Sequence, residues 1–337
     1  MKCAATAVAG CLFITAASFP AAADENFYAG KTITMVVSSR AGDAYDTVGR
    51  LLLRHMTRHI PGKPNSIVQN MPGGSYLIAT NYLYNQAPRD GRTIGAVNHG
   101  VLMHQVFGTM NVDYDMRNFE WIGAYNSRNG ALTVWHTAGV KTIDDLRKTE
   151  ILLGASTGGS SSYGYALAMN AVLGTKIKLI KGYGGSNDVM LAMQRGEVQA
   201  RAGGYTTMLL TNADWIRDGK IVFVAQIGID RDPELAHVPS WIEAAETDEQ
   251  RAILRLVSSP IAIGYPYLAP PEVPAERLAI LRKAFNDTMV DPVFREETSK
   301  QQIAATWRNA DKVTEIIRTT LASSPEVIAK AKELKAE

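Results

Sequence analysis

Cysteine is nearly absent from this 337-residue chain, which has only Cys3 and Cys11. Both lie in a segment that begins with Lys2, continues through an apolar, alanine-rich stretch and ends at Ala21-Ala22-Ala23. A positive start, an apolar stretch and a small-residue end are typical of a secretory signal, so we expect residues 1–23 to be cleaved. The remaining chain then has no cysteine, which excludes disulfides, thiol catalysis and thiolate metal sites.

The N-terminal segment has two alternative interpretations. A membrane anchor would need roughly 20 strongly apolar residues, which is more than this stretch supplies. Val8-Ala9-Gly10-Cys11 is similar to a lipoprotein cleavage box, so processing at Cys11 stays open. With either cleavage the chain is exported, and we expect it in the periplasm.

The chain also lacks a charge bias and the usual ligand motifs. Its 35 Lys and Arg nearly balance 33 Asp and Glu, with no basic block, which argues against a nucleic-acid partner. His55 and His59 have helical spacing, but no H-E-x-x-H motif is present. The sequence therefore predicts no metal site, no cofactor and no nucleic-acid partner.

What the chain does have is an alternation of strand and helix patterns. The β-branched run Ile33–Ser38 precedes an apolar stripe with helical spacing from Val48 to Met56, and similar pairs follow. This alternation predicts an α/β fold with parallel strands and helical crossovers. A further strand is predicted at Ile261–Leu268, before a purely helical end. We expect two lobes, one made of residues 27–125 and 258–337 and the other of residues 126–257.

Small, polar, glycine-rich turns follow five of the predicted strands, and open α/β sheets bind ligands at such strand ends. The turn Ala155–Ser162 is rich in hydroxyl groups and leads into a helix, whose amino end holds unpaired N–H groups that attract an anion. We therefore expect a carboxylate to bind there. The predicted ligand-binding residues are Ser39, Arg40, Ala41, Gly42, Asp43, Tyr45, Asp46, His99, Ser156, Thr157, Gly158, Gly159, Ser160, Ser161, Tyr183, Gly184 and Tyr205.

The same turn is compatible with a catalytic function. Gly154-Ala155-Ser156-Thr157-Gly158 matches the G-x-S-x-G motif of serine hydrolases, in a strand–turn–helix context. Such an enzyme needs an acid and a histidine further along the chain, and His237 is the only histidine after Ser156. Asp230 and Asp232 lie in the same short loop as His237, which is a poor arrangement for a triad. A serine hydrolase stays the alternative, and we expect no enzyme activity.

Motifs spread over nearly the whole exported chain carry a family resemblance. They are Lys31–Val37, Ala41-Gly42 with Asp46, Asn70–Gly74, Ala87–Gly91, Val140–Leu146, Ala155–Ser162, Tyr183-Gly184-Gly185, Gly196-Glu197-Val198 and Leu268-Ala269-Pro270. With these motifs the chain resembles the receptors of tripartite tricarboxylate transporters, also called Bug receptors. The resemblance implies an α/β fold: a two-lobed periplasmic binding protein of type II, or Venus flytrap, with a helical C-terminal tail.

The resemblance also implies a function. It indicates a monomeric receptor that captures a small carboxylate, either a di- or tricarboxylate or an aromatic acid, and delivers it to a two-component integral membrane permease. A receptor that serves a sensor kinase or another class of importer stays an alternative. Asp43 stands where the family usually has glycine, so Arg40 is predicted either to form an exposed pair with Asp43 or to bind the ligand's carboxylate. The ligand's identity stays open.

Overall fold

The computed structural model describes residues 27–109, 111–125, 128–155, 161–183, 186–205, 208, 212–301, 303 and 306–336. Its strands form two sheets. The first has six strands in the order β11-β4-β10-β3-β1-β2 and the second has five in the order β7-β6-β8-β5-β9. In the first sheet the strands are β1 Thr32–Val37, β2 Asn65–Asn70, β3 Thr93–Ala96, β4 Glu120–Tyr125, β10 Tyr265–Ala269 and β11 Trp307–Asn309. In the second they are β5 Gly130–Trp135, β6 Ile151–Gly154, β7 Ile177–Ile180, β8 Ala200–Gly204 and β9 Ile221–Ile227.

Helices cover both sheets. Those described are α1 Ala44–Met56, α2 Leu77–Asn85, α3 Val101–Val106, α4 Ile143–Lys148, α5 Ser161–Leu173, α6 Ser186–Arg195, α7 Ala213–Arg217, α8 Asp248–Ile263, α9 Ala275–Val290, α10 Pro292–Lys300, α11 Ala310–Leu321 and α12 Pro325–Ala336. Within the described ranges, none of them is long and apolar enough to cross a membrane. The fold class predicted from the sequence is confirmed: two sheets flanked by helices, with helices at the C-terminal end.

Both sheets are mixed. Strands β2 and β3 run parallel to β1, and β7 and β8 run parallel to β6, as the alternating pattern predicts. The strands that follow a change of sheet, β5 and β10, instead pair antiparallel with their neighbours. The expectation of parallel strands throughout is therefore wrong for these pairs. The chain moves from the first sheet to the second between β4 and β5, and returns between α8 and β10. The predicted lobe boundaries agree with this strand membership but stay a prediction.

The apolar core continues from one sheet to the other. On one face of the first sheet, α1 and α9 bury Leu52 and Phe285 against Met35. The opposite face belongs to a larger cluster that includes Leu153 of the second sheet and Ile317 of α11. Helix α12 packs against α5 and α8. The C-terminal helices thereby link the first sheet to the helices of the second.

The predicted strand Ile261–Leu268 is wrong at its start, because helix α8 includes its first residues. Residues 261–263 are the last residues of α8, and the strand begins at Tyr265. Pro260 lies inside the helix and cannot donate a backbone hydrogen bond to the Leu256 carbonyl oxygen. The Ser259 hydroxyl donates to that oxygen instead, at 2.8 Å. This replacement bond lets the helix continue past a residue that normally indicates its end.

Candidate ligand site

A pocket of about 610 Å³ opens between the carboxyl edge of the first sheet and the helices that cover the second. Asn98, His99 and Gly100 line it after β3, and Tyr165 lines it from α5. Helices α3, α8 and α12 supply the remaining walls, including Pro260 of α8. A volume of this size suits a small organic molecule, for which sites of roughly 300–1,000 Å³ are usual.

The described lining of this pocket is polar but carries no lysine, arginine, aspartate or glutamate. Its polar groups are hydroxyls, an amide and two imidazoles, and Met103, Phe107 and Leu334 supply the apolar contacts. A ligand with a net charge therefore needs a partner other than these residues.

His99 is held in one orientation. Its Nδ1 lies 2.9 Å from the carbonyl oxygen of Gly264 and 2.9 Å from the Tyr45 hydroxyl. A carbonyl oxygen only accepts, so Nδ1 carries the proton and Nε2 is an acceptor. Burial lowers the pKa of His99, against the opposing effect of the bond to Gly264, and the ring is neutral at pH 7. Tyr45 is itself fixed by an edge-on contact with Tyr265. His99 therefore offers a ligand or a water molecule a neutral acceptor.

Backbone strain lies at the same pocket. Ser75 and Tyr76, both in the lining, have φ values of 52° and 75°, in the left-handed region that non-glycine residues rarely adopt. Such strain is concentrated at binding sites, where the surrounding structure maintains it. The turn before α2 thereby brings the Tyr76 side chain into the pocket lining.

The predicted ligand-binding residues from Ser39 to Asp46 form one loop, and its two carboxylates accept hydrogen bonds within the protein. Asp46 is buried and accepts from the Gly42 N–H and from the side chains of Arg50 and Asn70. Burial alone would raise the pKa of Asp46, but these three partners lower it. Asp43 is the N-cap of α1 and accepts from the Tyr45 N–H. Both carboxylates thus stabilise the start of α1, and their predicted contact with a ligand stays a prediction.

The other predicted residues of this loop lie at its surface or just beneath it. Arg40, Ala41 and Gly42 are exposed. Ser39 is buried, and its hydroxyl has no hydrogen-bond partner in the described part of the chain. No ion pair joins Arg40 to Asp43 among the described residues, and contact of Arg40 with a ligand stays a prediction.

The predicted carboxylate-binding turn Ala155–Ser162 lies largely outside the described residues. Ser156, Thr157, Gly158, Gly159 and Ser160 fall there, as does Gly184. Helix α5 begins at Ser161, directly after this segment.

Two tyrosines predicted to bind ligand are described on this side of the molecule. Tyr183 is half-buried and lies close to Gly154. Tyr205 is buried edge-on against Phe223, with the Arg128 guanidinium over its ring. The structure gives Tyr205 a packing role.

Arg201 was not predicted, and it is the most unusual charged group in this part of the molecule. It lies within β8, is 3% exposed, and its Nη1 has no hydrogen-bond partner among the described residues. Burial lowers the pKa of Arg201 to about 10, so it stays charged at neutral pH. One signal is visible in the sequence, because Arg201 is the only charge in the run Val198–Ala202.

The histidine and the two aspartates of the hydrolase alternative do not form a catalytic pair in the described structure. His237 is exposed. Asp232 caps a short 3₁₀ turn by accepting from the Glu234 N–H, and Asp230 lies 3.6 Å from Arg308. Neither carboxylate is hydrogen-bonded to His237 in the described structure. Ser156 lies outside the described residues, so its distance to these groups is not defined.

Comparison with known proteins identifies the family. A family model described as the tripartite tricarboxylate transporter family receptor matches residues 50–333. The chain belongs to this family. No curated protein sequence matches it. The resemblance inferred from the sequence motifs is therefore confirmed.

Solved structures of receptors share the fold. A TctC solute-binding protein from Polaromonas superposes with a TM-score of 0.70 at 18% identity, covering 91% of this chain and 98% of that one. MatC from Rhodopseudomonas palustris, solved with bound malate, has a TM-score of 0.56 at 17% identity, with 90% and 99% covered. A second R. palustris protein, solved with adipate, has a TM-score of 0.58 at 18% identity, with 90% and 97% covered. At these identities the similarity shows the fold alone. The role of this chain as a solute-binding receptor rests on the family to which it belongs.

Of the predicted site residues that the structure describes, His99 alone is in the pocket lining, and the sequence did not indicate the walls made by α3, α5, α8 and α12. Helical residues such as Met103, Tyr165 and Leu334 fit an ordinary apolar stripe, so their sequence pattern carries no signal for a ligand. Pro260 directly precedes the predicted strand Ile261–Leu268, but the structure has it inside α8, from where it lines the pocket.

Proposed function

We propose that this receptor captures a small carboxylate in the pocket between its two sheets and delivers it to a two-component membrane permease. The observation that carries the proposal is the pocket of about 610 Å³ at the carboxyl edge of the first sheet, in a member of a receptor family. Two structures with the same fold were solved with malate and with adipate. The protein acts in the periplasm, as its predicted signal implies, and has no catalytic step.

The mechanism follows from the placement of the pocket. Its lining comes from the first sheet on one side and from α5, α8 and α12 on the other. A ligand that contacts both sides at once stabilises the arrangement in which they are close, and this differential contact is what shifts the population towards the closed form. The closed form is the one that docks on the permease.

A thermal-shift screen tests the proposal. The exported chain, residues 24–337, is heated with malate, adipate, citrate and benzoate in separate samples, beside chloride at equal ionic strength as the control. An acid at a hundredfold over its Kd stabilises the folded protein by about 2.7 kcal/mol, which raises Tm visibly. If none of the four acids raises Tm above the chloride control, capture of a carboxylate of these classes is refuted.

An esterase assay separates the receptor from the hydrolase alternative. The receptor should not hydrolyse a chromogenic ester above the background rate, and Ser156→Ala should not change that rate. Turnover that Ser156→Ala abolishes would establish the hydrolase instead.

A further inference from the structure

Two adjacent residues of the pocket lining, Asn98 and His99, each have one side-chain atom left over after their internal hydrogen bonds. Both residues are half-buried, and they follow β3 at its carboxyl end. Open α/β sheets bind their ligands at that end of the strands. In each residue the internal bond also settles whether the remaining atom is a donor or an acceptor.

The side-chain amide of Asn98 is oriented by the turn that contains it. Its Oδ1 accepts from the Gly100 N–H at 2.7 Å, and the Asn98 N–H donates to the Ser38 hydroxyl at 2.9 Å. Because a backbone N–H only donates, the atom beside it is the amide oxygen, and the remaining atom is Nδ2. A Cβ at position 100 would lie 2.9 Å from Oδ1, so glycine leaves room for the amide. Nδ2 has no partner among the described residues and is a donor.

The imidazole of His99 supplies the matching acceptor. Its Nδ1 donates to the Gly264 carbonyl oxygen, so Nε2 is the atom left over. The Tyr45 hydroxyl lies 2.9 Å from Nδ1 and also accepts from the His99 N–H at 3.3 Å, which anchors the residue twice. Burial lowers the pKa of His99, so the ring is neutral at pH 7 and Nε2 keeps its lone pair. Within the described ranges no residue donates to Nε2.

A donor beside an acceptor fits a hydroxyl group better than a carboxylate. A carboxylate accepts from Asn98 Nδ2 but has no proton for His99 Nε2, whereas a hydroxyl group donates as well as accepts. An acid without a hydroxyl group would exclude water from Nε2 and leave this acceptor unpaired, which weakens binding. The described lining has no lysine, arginine, aspartate or glutamate that could serve Nε2 instead.

We propose that this receptor selects small acids that carry a hydroxyl group, which donates to His99 Nε2 while Asn98 Nδ2 donates to an oxygen of the same ligand. The inference rests on the proposed function and deepens it by naming the class of acid. Both side chains are held in place before a ligand arrives, so little conformational freedom is lost on binding. Sites that hydrogen-bond a ligand's hydroxyl group discriminate strongly against the analogue that lacks it.

Calorimetry with matched pairs of acids measures this selection. The pairs are malate and succinate, citrate and tricarballylate, 2-hydroxyadipate and adipate, and 4-hydroxybenzoate and benzoate, and the members of each pair differ by one hydroxyl group. In the pair that the wild type binds best, the hydroxy acid should bind about 10-fold more tightly or better, because only its partner acid leaves an acceptor unpaired.

His99→Asn removes the acceptor but can keep the internal bond. The amide nitrogen of asparagine is bonded to Cγ, as Nδ1 of histidine is, so it can still donate to the Gly264 carbonyl oxygen. No atom of asparagine extends to the position of Nε2. The affinity for the hydroxy acid should fall to that of the plain acid, and the affinity for the plain acid should stay unchanged, which shows at the same time that the fold is intact.

Two further variants complete the comparison. Asn98→Asp keeps an oxygen that accepts from the Gly100 N–H but loses the donor, so both acids of the pair should bind more weakly. His136→Asn makes the replacement of His99→Asn at an exposed histidine outside the pocket lining. It should bind both acids like the wild type.

The outcomes separate the two proposals. If the wild type binds none of the acids, the proposed function fails and the inference falls with it. If it binds both members of every pair equally well, the inference alone is overturned and the receptor function stands. A preference for the hydroxy acid that persists in His99→Asn, or an equal loss of both acids in that variant, would likewise overturn the role of His99 in selection.

Discussion

His99 Nδ1 donates to the carbonyl oxygen of Gly264, which is the residue between α8 and β10 where the chain returns to the first sheet. One residue of the pocket is thus hydrogen-bonded to one of the two segments that join the sheets. Because the Gly264 bond fixes the tautomer, the ring presents an acceptor to the pocket and keeps it as long as it stays neutral.

The first prediction concerns the protonation of His99. Burial lowers the pKa of His99 below its ordinary value, so between these two values the unfolded chain binds a proton that the folded chain does not. Stability therefore increases with pH in that window and is lost as the pH falls through about 6.5. We expect the free energy of unfolding in urea to decrease between pH about 7.5 and about 5.5 by less in His99→Gln than in the wild type. An equal decrease in both proteins would contradict the assignment.

Asp43 supports a second prediction, because a matched pair of substitutions separates its charge from its hydrogen bond. Its carboxylate caps α1. Asparagine caps as well as aspartate, whereas alanine at an N-cap costs about 1 kcal/mol. Asp43→Asn should keep most of the wild-type free energy of unfolding, and Asp43→Ala should lose about that amount in urea denaturation. Equal losses in both variants would show that the charge matters and the cap does not.

Arg201 illustrates what single-residue reasoning from sequence can and cannot reach. The loop residues around His99 were predictable, because glycine and hydroxyl residues after a strand indicate an exposed turn. A lone arginine in an apolar strand could equally lie on a solvated face, and only the pairing of β8 between β6 and β5 shows that it is buried. Burial depends on which strands are neighbours, and this order is set by contacts distant in sequence.

At the scale of elements, helix α8 shows that a local sequence pattern can predict the wrong secondary structure. Pro260, followed by the β-branched Ile261 and Ile263, is typical of a strand, and the sequence predicts one there. The structure keeps these residues in α8, because α8 packs against α5, α11 and α12 and so buries Ala262 and Ile263. Tertiary packing outweighs the local preference, and a hydroxyl replaces the hydrogen bond that proline removes. By contrast, the capping box of Thr142 and Asp145 at the start of α4 depends on local bonds alone, and both of its bonds are present.

The third prediction tests that replacement bond. Ser259→Ala leaves the buried Leu256 carbonyl oxygen without the hydroxyl donor that compensates for Pro260. An unsatisfied buried acceptor costs about 1–3 kcal/mol, so the free energy of unfolding should decrease by that amount in urea denaturation. The double variant Ser259→Ala/Pro260→Ala restores a backbone N–H donor and should recover most of the loss. A single variant as stable as the wild type would rule out this role for Ser259.

At the scale of the whole molecule, the two sheets share a core but also enclose a pocket between them. The larger apolar cluster joins residues of both sheets through α8 and α11, while the pocket separates the loops of the first sheet from α5. Relative movement of the two sides must then occur about the two segments where the chain changes sheet. A ligand in the pocket is the natural means of restricting that movement, since it contacts both sides.

The last prediction follows from this arrangement. Gly164 of α5 lines the pocket, and a Cβ at its position would meet no atom within 4 Å, so a larger side chain there extends into the pocket. Small-angle scattering of the wild type should show a smaller radius of gyration when a binding acid is added, because closure brings the two sides together. Gly164→Leu should keep the ligand-free radius on addition of the same acid, since leucine takes the ligand's space. Gly164→Ala is the matched control: it is compatible with a helix, adds one methyl group and should still close. Compaction of Gly164→Leu equal to that of the wild type would place the ligand outside this pocket.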